Sequence, residues 1–377
     1  MKPIDELLQK CSLTRRNFVS YLAALGVGTT AVGGVGGGLV SGSAMAAAST
    51  ADTHQGKPKK RIDVHHHIVP RTYVEAMNKA GYSTIGGVPF PKWEPEVLER
   101  SFDVLGISKA ILSISAPGVA VPDAGAEKEI SRQVNEYSAE LMRDFGSRVG
   151  AFATIPISSV DSAIAESNYA LDTLGLQGVC LFSSHHGVYL GDAALDEYMD
   201  YLNQRDAIVF IHPTLPLKEL LPQVALDPPL VEFTFETTRA VSNMLYNGVL
   251  ERFPRIRFIL AHLGGTIPFI AWRMSMFEHS PRQEFVDFRK RCPRPVKEYL
   301  AGLYYDIGVS CSEGNLRNVL SFIPEEHVLF GSDYPFAAQS FIDLNTRTLM
   351  ESGVFNQAGL EKVNSTNAER LFGFTSA

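Results

Sequence analysis

The chain has 377 residues, 45% hydrophobic and 20% charged, with 31 Gly and 21 Pro; these values exclude a disordered or fibrous protein and leave one large domain or two average ones. A formal net charge of −7, without any sustained run of Lys or Arg, argues against nucleic acid as the partner. Four cysteines, at 11, 180, 292 and 311, are too few and too scattered for a disulfide scaffold or a Cys-based zinc module.

The first element is an address. Arg15-Arg16 is followed by an uncharged stretch over residues 17–51, which carries small residues including Ala44-Met45-Ala46 near its end. Basic residues, then an apolar run, then an A-x-A site make an export signal over residues 1–46. Thr14-Arg15-Arg16-Asn17-Phe18 resembles the twin-arginine (Tat) signal, which implies the Tat machinery as a partner and a periplasmic destination; an ordinary secretory signal is the alternative. The run is crowded with Gly and makes a poor permanent membrane span. Cleavage removes Cys11 and leaves one disulfide open among Cys180, Cys292 and Cys311, with no pairing specified.

A polar linker over residues 47–60 leads into short apolar runs that alternate with amphipathic segments. The expected strands are Arg61–His65, Ala110–Ser115, Val149–Ile155, Gly178–Phe182, Ile208–His212, Arg257–His262, Tyr304–Ile307 and Val328–Gly331, each apolar on both faces as buried parallel strands are. Helical patterns fill the gaps: Glu96–Leu105, Ala126–Asp144, Ser159–Leu174, Leu195–Gln204, Glu236–Arg252, Asn315–Phe322 and Ile342–Met350. Asp123 and Ser158 stand where capping residues belong, and Gly106 and Gly175 sit just beyond helix ends.

Eight strands, each followed by helix or loop, imply an α/β fold of the (β/α)₈ TIM-barrel type over residues 61–377. A doubly wound open sheet would alternate in the same way, but no glycine-rich phosphate loop follows the first strand. The length exceeds a typical barrel of about 250 residues, and the excess is expected in three inserted loops, Pro70–Pro95, Pro213–Phe235 and Ile267–Lys297. Neither an internal repeat nor a second-domain linker is visible, so one domain is expected.

The chemistry gathers at strand ends. In Asp63-Val64-His65-His66-His67, residues i and i+2 face the same way, so His65 and His67 point together while His66 faces elsewhere. His212 and His262 end their own apolar strands, and Asp333 follows Val328-Leu329-Phe330-Gly331-Ser332. In a barrel all the carboxyl ends open on one face, so these five side chains converge there. A strand-end His or Asp alone often caps a loop; five in the same topological place need another account. Imidazoles with a carboxylate suit Zn²⁺ or a similar divalent ion, which acts as a Lewis acid and lowers the pKa of bound water.

This pattern resembles the amidohydrolase superfamily, with His-x-His on strand 1, His on strands 5 and 6, and Asp on strand 8. Within it, the chain resembles the branch of aminocarboxymuconate-semialdehyde decarboxylase and the ring-acid decarboxylases, 6-methylsalicylate decarboxylase-like proteins among them. The strings that carry the likeness are Ile62–Pro70, Ala110–Ser113 with Ala116-Pro117-Gly118, Glu236–Ala240, Phe258–Gly265 and Gly331–Phe336. The resemblance implies His65, His67, His212 and Asp333 as metal ligands and His262 as general acid/base. Two-metal members carry a bridging lysine on strand 4; Gly178-Val179-Cys180-Leu181-Phe182 has none, which implies a single ion. His65, where some ring-acid decarboxylases have Glu, favours zinc, with manganese as the alternative.

The expected reaction is non-oxidative decarboxylation of an aromatic (hydroxybenzoate-like) or related unsaturated carboxylic acid, with Asp333 or His262 delivering the proton. Arg239 is a candidate partner for a substrate carboxylate or phenolate, although a surface charge on its helix explains it as well. Trp93 and Phe90 are candidates for stacking on a ring, and His186 for touching substrate; loop packing and a solvated loop are the plainer accounts. The same five residues would serve a hydrolase of an amide, lactone or ester, or a binding protein that turns nothing over. Related enzymes also imply a homodimer.

Overall fold

The computed structural model describes residues 60–85, 88–217 and 226–374. The expected export signal over 1–46, and the linker except for Lys60, lie outside them. Among the described residues, eight strands form one parallel sheet whose spatial order is the chain order. They are β1 (Ile62–His67), β2 (Lys109–Ser113), β3 (Val149–Thr154), β4 (Gly178–Phe182), β5 (Ile208–His212), β6 (Arg257–Leu260), β7 (Tyr304–Asp306) and β8 (Val328–Leu329). Each corresponds to an expected strand. β8 is the shortest, and the chain just beyond it returns to β1: Val64 N–H donates to Phe330 O (3.0 Å), Asp333 N–H to His65 O (2.8 Å) and His67 N–H to Tyr334 O (2.7 Å). These bonds draw the last strand's extension against the first, so the sheet is a nearly closed barrel.

The strands are apolar throughout because both faces are covered. Val64, Ile111, Phe152, Val179, Phe210, Ile259, Tyr305 and Leu329 are at most 1% exposed. The helices are α1 (Arg71–Lys79), α2 (Pro95–Leu105), α3 (Ala124–Phe145), α4 (Val160–Asn168), α5 (Asp196–Gln204), α6 (Pro228–Tyr246), α7 (Val249–Arg252), α8 (Ile267–Ser275), α9 (Gln283–Arg291), α10 (Val296–Ala301), α11 (Glu313–Val319), α12 (Gln339–Glu351), α13 (Gln357–Glu361) and α14 (Asn367–Phe372). Asp123 caps α3 as expected, accepting from Ala126 N–H at 2.6 Å. The cap of α4 is Ser159 rather than Ser158, accepting from Ser162 N–H.

The three expected loops need correction, since helices occupy part of each among the described residues. Pro70–Pro95 contains α1, Ile267–Lys297 contains α8, α9 and the start of α10, and α6 begins at Pro228 inside Pro213–Phe235. Pro228 and Pro229 open α6 directly after Asp227, where missing N–H groups cost nothing and the fixed φ already suits a helix. α8 escaped notice because apolar residues stand on both its inner and outer sides: Ile267, Ala271 and Met274 face inward while Phe269 and Trp272 face out.

No helix among the described residues is long and apolar enough to cross a membrane. Cys180, Cys292 and Cys311 are buried free thiols, so the pairing left open is not formed.

Candidate metal centre

β1 brings two imidazoles to the centre, helped by a bulge. Its register with β2 shifts between Asp63, opposite Ala110, and His66, opposite Leu112, which places an extra residue in β1; bulges commonly re-aim side chains beside active sites. His65 and His67 are fully buried with ring centroids 4.8 Å apart. His212, at the end of β5, stands 5.3 Å from the His65 ring and 4.9 Å from the His67 ring. His262, just beyond β6, has its ring 5.0 Å from that of His65. Asp333 follows β8 and completes the group: Oδ1 lies 3.3 Å from His65 Nε2 and 3.1 Å from His67 Nε2, and Oδ2 lies 3.4 Å from His262 Nε2. Thus the structure brings all five expected residues together. His65, His212, His262 and Asp333 offer donor atoms within 4.8 Å of one another, and His67 Nε2 is 3.0 Å from His65 Nε2. His262 and Asp333 adopt left-handed backbone (φ 56° and 62°), a conformation costly for most residues and concentrated at functional sites.

The outer edges of three of the rings decide what the inner edges can do. His65 Nδ1 lies 2.9 Å from Asp306 Oδ2, His67 Nδ1 3.3 Å from Ser113 O, and His212 Nδ1 2.7 Å from Pro213 O. Carbonyl and carboxylate oxygens only accept, so Nδ1 of His65 and of His212 carries a proton, while His67 Nδ1 also has the Ser113 hydroxyl at 3.2 Å. The three Nε2 edges turn inward towards the Asp333 carboxylate, leaving a place where a cation would be held. The donor set and the shielded position fit a divalent cation.

The electrostatics call for positive charge at this place. Burial opposes charge on His65, but Asp306 and Asp333 overcome it and hold its pKa up at about 10, so the charge of a bound cation would take the place of a proton on His65. Burial keeps His67 below its ordinary value and His212 well below, helped in each case by neighbouring imidazoles. Burial pushes the Asp333 carboxyl up, but His65, His262 and His67 outweigh it and keep Asp333 well below the ordinary carboxylate range.

A cavity of about 390 Å³ opens above the centre, a size that suits one substituted ring. His262 and Asp333 lie on its wall, with Phe233, Leu230, Val309, Phe336 and Phe341 as apolar sides and Ser115 and Thr234 as polar ones. The Phe233 ring stacks on that of His262 (centroids 6.5 Å apart, planes at 22°).

The expected substrate contacts do not line this cavity. Arg239, on α6, donates to Glu236 Oε1 at 2.5 Å and borders a separate cavity beside Phe285 and Phe288. Trp93 is 4% exposed and packs edge-on against Tyr137. Phe90 packs edge-on against Tyr73. His186 is half-exposed, 3.6 Å from Glu127. Sequence reasoning missed Asp63, Ser113 and Asp306, which hold the site together, and the cavity wall formed by Phe233 and Phe336. Asp306 carried one usable signal, a charged residue at the end of an otherwise apolar strand.

Comparison with known proteins agrees with this geometry. The Amidohydrolase family model matches residues 62–374, and the chain belongs to that family. Decarboxylase yanB of Aspergillus niger is 32% identical over 330 residues, covering 83% of this chain and 87% of its own. The 6-methylsalicylic acid decarboxylase of Penicillium expansum is 32% identical over 318 residues, covering 83% and 96%. A crystal structure of a dihydroxybenzoic acid decarboxylase from Polaromonas, with bound manganese and 2-nitroresorcinol, shares the fold: TM-score 0.67 at 21% identity, over 84% of this chain and 98% of that one. The protein is a carboxy-lyase of the amidohydrolase superfamily.

Proposed function

We propose that the protein removes CO₂ non-oxidatively from an aromatic acid of the hydroxybenzoate type or a related unsaturated carboxylic acid. The observation that carries this reading is the convergence of the His65, His67 and His212 imidazoles and the Asp333 carboxylate beneath a largely apolar cavity sized for one ring. The named activities of the fungal relatives support the lyase over the hydrolase on the same residues.

His65, His67, His212 and Asp333 would hold one divalent ion, zinc by the donor set, with the manganese of the Polaromonas enzyme naming the alternative. When bound, such an ion supplies Lewis-acid chemistry towards the oxygens of the substrate. The chain's own residues do the rest. Phe233 and Phe336 orient the ring and exclude water. His262 Nε2 lies 3.4 Å from Asp333 Oδ2 on the wall of the cavity, where the imidazole is placed to supply a proton. Its transfer to the ring carbon bearing the carboxylate makes that carbon tetrahedral. The carbon–carbon bond then breaks, its electron pair returns to the ring, and CO₂ leaves.

Incubation of the metal-loaded enzyme with 6-methylsalicylate and 2,6-dihydroxybenzoate, followed by CO₂ release, tests the reading. Absence of CO₂ across such a panel, with turnover of lactones or amides instead, ends it. Export by the twin-arginine route to the periplasm is part of the same proposal, supported by Arg15-Arg16 and the uncharged run behind it. So is a homodimer, supported by the outward rings of Phe269 and Trp272 on α8, 84% and 79% exposed.

A further inference from the structure

We infer that Asp306 is a positioning residue that fixes His65 and His262 at once, setting the ring edge that His65 turns to the metal and the backbone from which His262 projects. The inference rests on the metal-centre reading above and extends it to a residue outside the ligand set.

Asp306 is fully buried at the end of β7. Its two oxygens divide the work. Oδ2 faces His65 Nδ1 at 2.9 Å. Oδ1 accepts from His262 N–H at 3.2 Å and from Gly308 N–H at 2.7 Å. All three partners are donors, so the position demands an acceptor on both sides, which a carboxylate satisfies and a carboxamide cannot. The space around it is cut to fit. A Cβ on Gly331 would lie 2.8 Å from His65 Cβ and 3.0 Å from Asp306 Cγ; one on Gly308 would lie 2.9 Å from Asp306 Oδ1 and 3.1 Å from His65 Nδ1. Glycine at both places lets the carboxylate and the imidazole meet.

Asp306→Asn keeps the volume and removes one acceptor. Two backbone N–H groups outvote one ring, so the amide oxygen turns to His262 and Gly308 and the NH₂ group turns to His65 Nδ1. That nitrogen must then accept, which moves the ring proton to Nε2, onto the lone pair that faces the metal. Gly308→Ala is the second variant. It leaves the carboxylate in place chemically but pushes it away from His65.

Zinc affinity, measured by competition with a chromophoric chelator, is expected to fall at least about tenfold in both variants, as changes to groups that orient metal ligands do. Far-UV circular dichroism checks the fold; if Asp306→Asn does not fold, Gly308→Ala carries the affinity test. A second readout separates positioning from general loosening. In ¹⁵N-histidine spectra of the zinc-loaded enzyme, the hydrogen-bonded Nδ1–H of His65 should shift or vanish in the folded variant while those of His67 and His212 stay. Wild-type zinc affinity in a folded variant, or equal disturbance of all three rings, overturns the inference. A wild-type enzyme that binds no zinc or manganese defeats the metal-centre reading instead, so the two failures are distinct.

Discussion

The Ser332 hydroxyl donates a 2.6 Å hydrogen bond to Asp63 Oδ2, joining residues 269 positions apart in the chain. The same carboxylate accepts from Ser332 N–H (3.0 Å) and His65 N–H (3.1 Å), and its Oδ2 lies 2.9 Å from His66 Nδ1. Since His65 and Asp333 flank these contacts, Asp63 holds two members of the centre at a common height.

Replacing Asp63 with Ala leaves several buried donors without an acceptor. The expected loss of stability is about 3–5 kcal/mol, the range for breaking a buried charged network, against about 1–2 kcal/mol for Ser332→Ala. Urea denaturation of both variants measures the difference; equal losses contradict the central place given to Asp63.

Removing a ligand should empty the site. His212→Ala is expected to lower bound metal from about one ion per chain and to cut CO₂ release at least about a hundredfold. Dialysis of the wild type against a chelator should mimic it, with recovery on adding back Zn²⁺ or Mn²⁺. Full metal content in His212→Ala would remove this residue from the ligand set.

His262→Gln separates binding from proton transfer. Metal content should stay near that of the wild type while kcat falls by about 10²–10⁴, the usual worth of a positioned acid. If the metal leaves with the imidazole, His262 is a ligand and the proton source must be sought elsewhere.

His185 makes acid stability predictable. It is buried, its Nε2 accepting from Phe182 N–H at 3.3 Å, and burial, then His186, pushes its pKa down to about 3. Its unfolded value is about 6.5. Between these values the unfolded chain binds a proton that the folded chain refuses, so this contribution to stability is whole above about pH 6.5 and drains away as pH falls towards 3, by up to about 1.4 kcal/mol per pH unit. His185→Gln keeps an acceptor and does not titrate. Its urea midpoint should fall less than that of the wild type between pH 6.5 and 4, and parallel curves would discard the argument.

Much of the frame was legible because parallel strands buried on both faces read as short apolar runs, and because the two-residue period of a strand puts His65 and His67 on one side. What escaped shares a physical cause. α8 shows apolar residues both inward and outward, so no helical stripe marks it. Asp306 lies between Tyr305 and Ile307 like one more strand residue, and its role exists only through contacts with residues 241 positions away, as with His65. Trp93 and Phe90 were plausible ring binders by type alone, but type does not say which cavity a loop faces. Arg239 is spoken for by Glu236, a partner three residues away on the same helix.

The barrel's seam has a consequence for biosynthesis. His65 and His67 emerge early from the ribosome, while Asp333 follows almost the entire remaining chain. On the proposed metal reading, a nascent polypeptide that has not yet delivered Asp333 lacks one of its four ligands, and tight loading would wait for the last strand to dock. Metal content in a purified preparation would then count full-length, closed molecules, and truncated products would betray themselves as metal-poor.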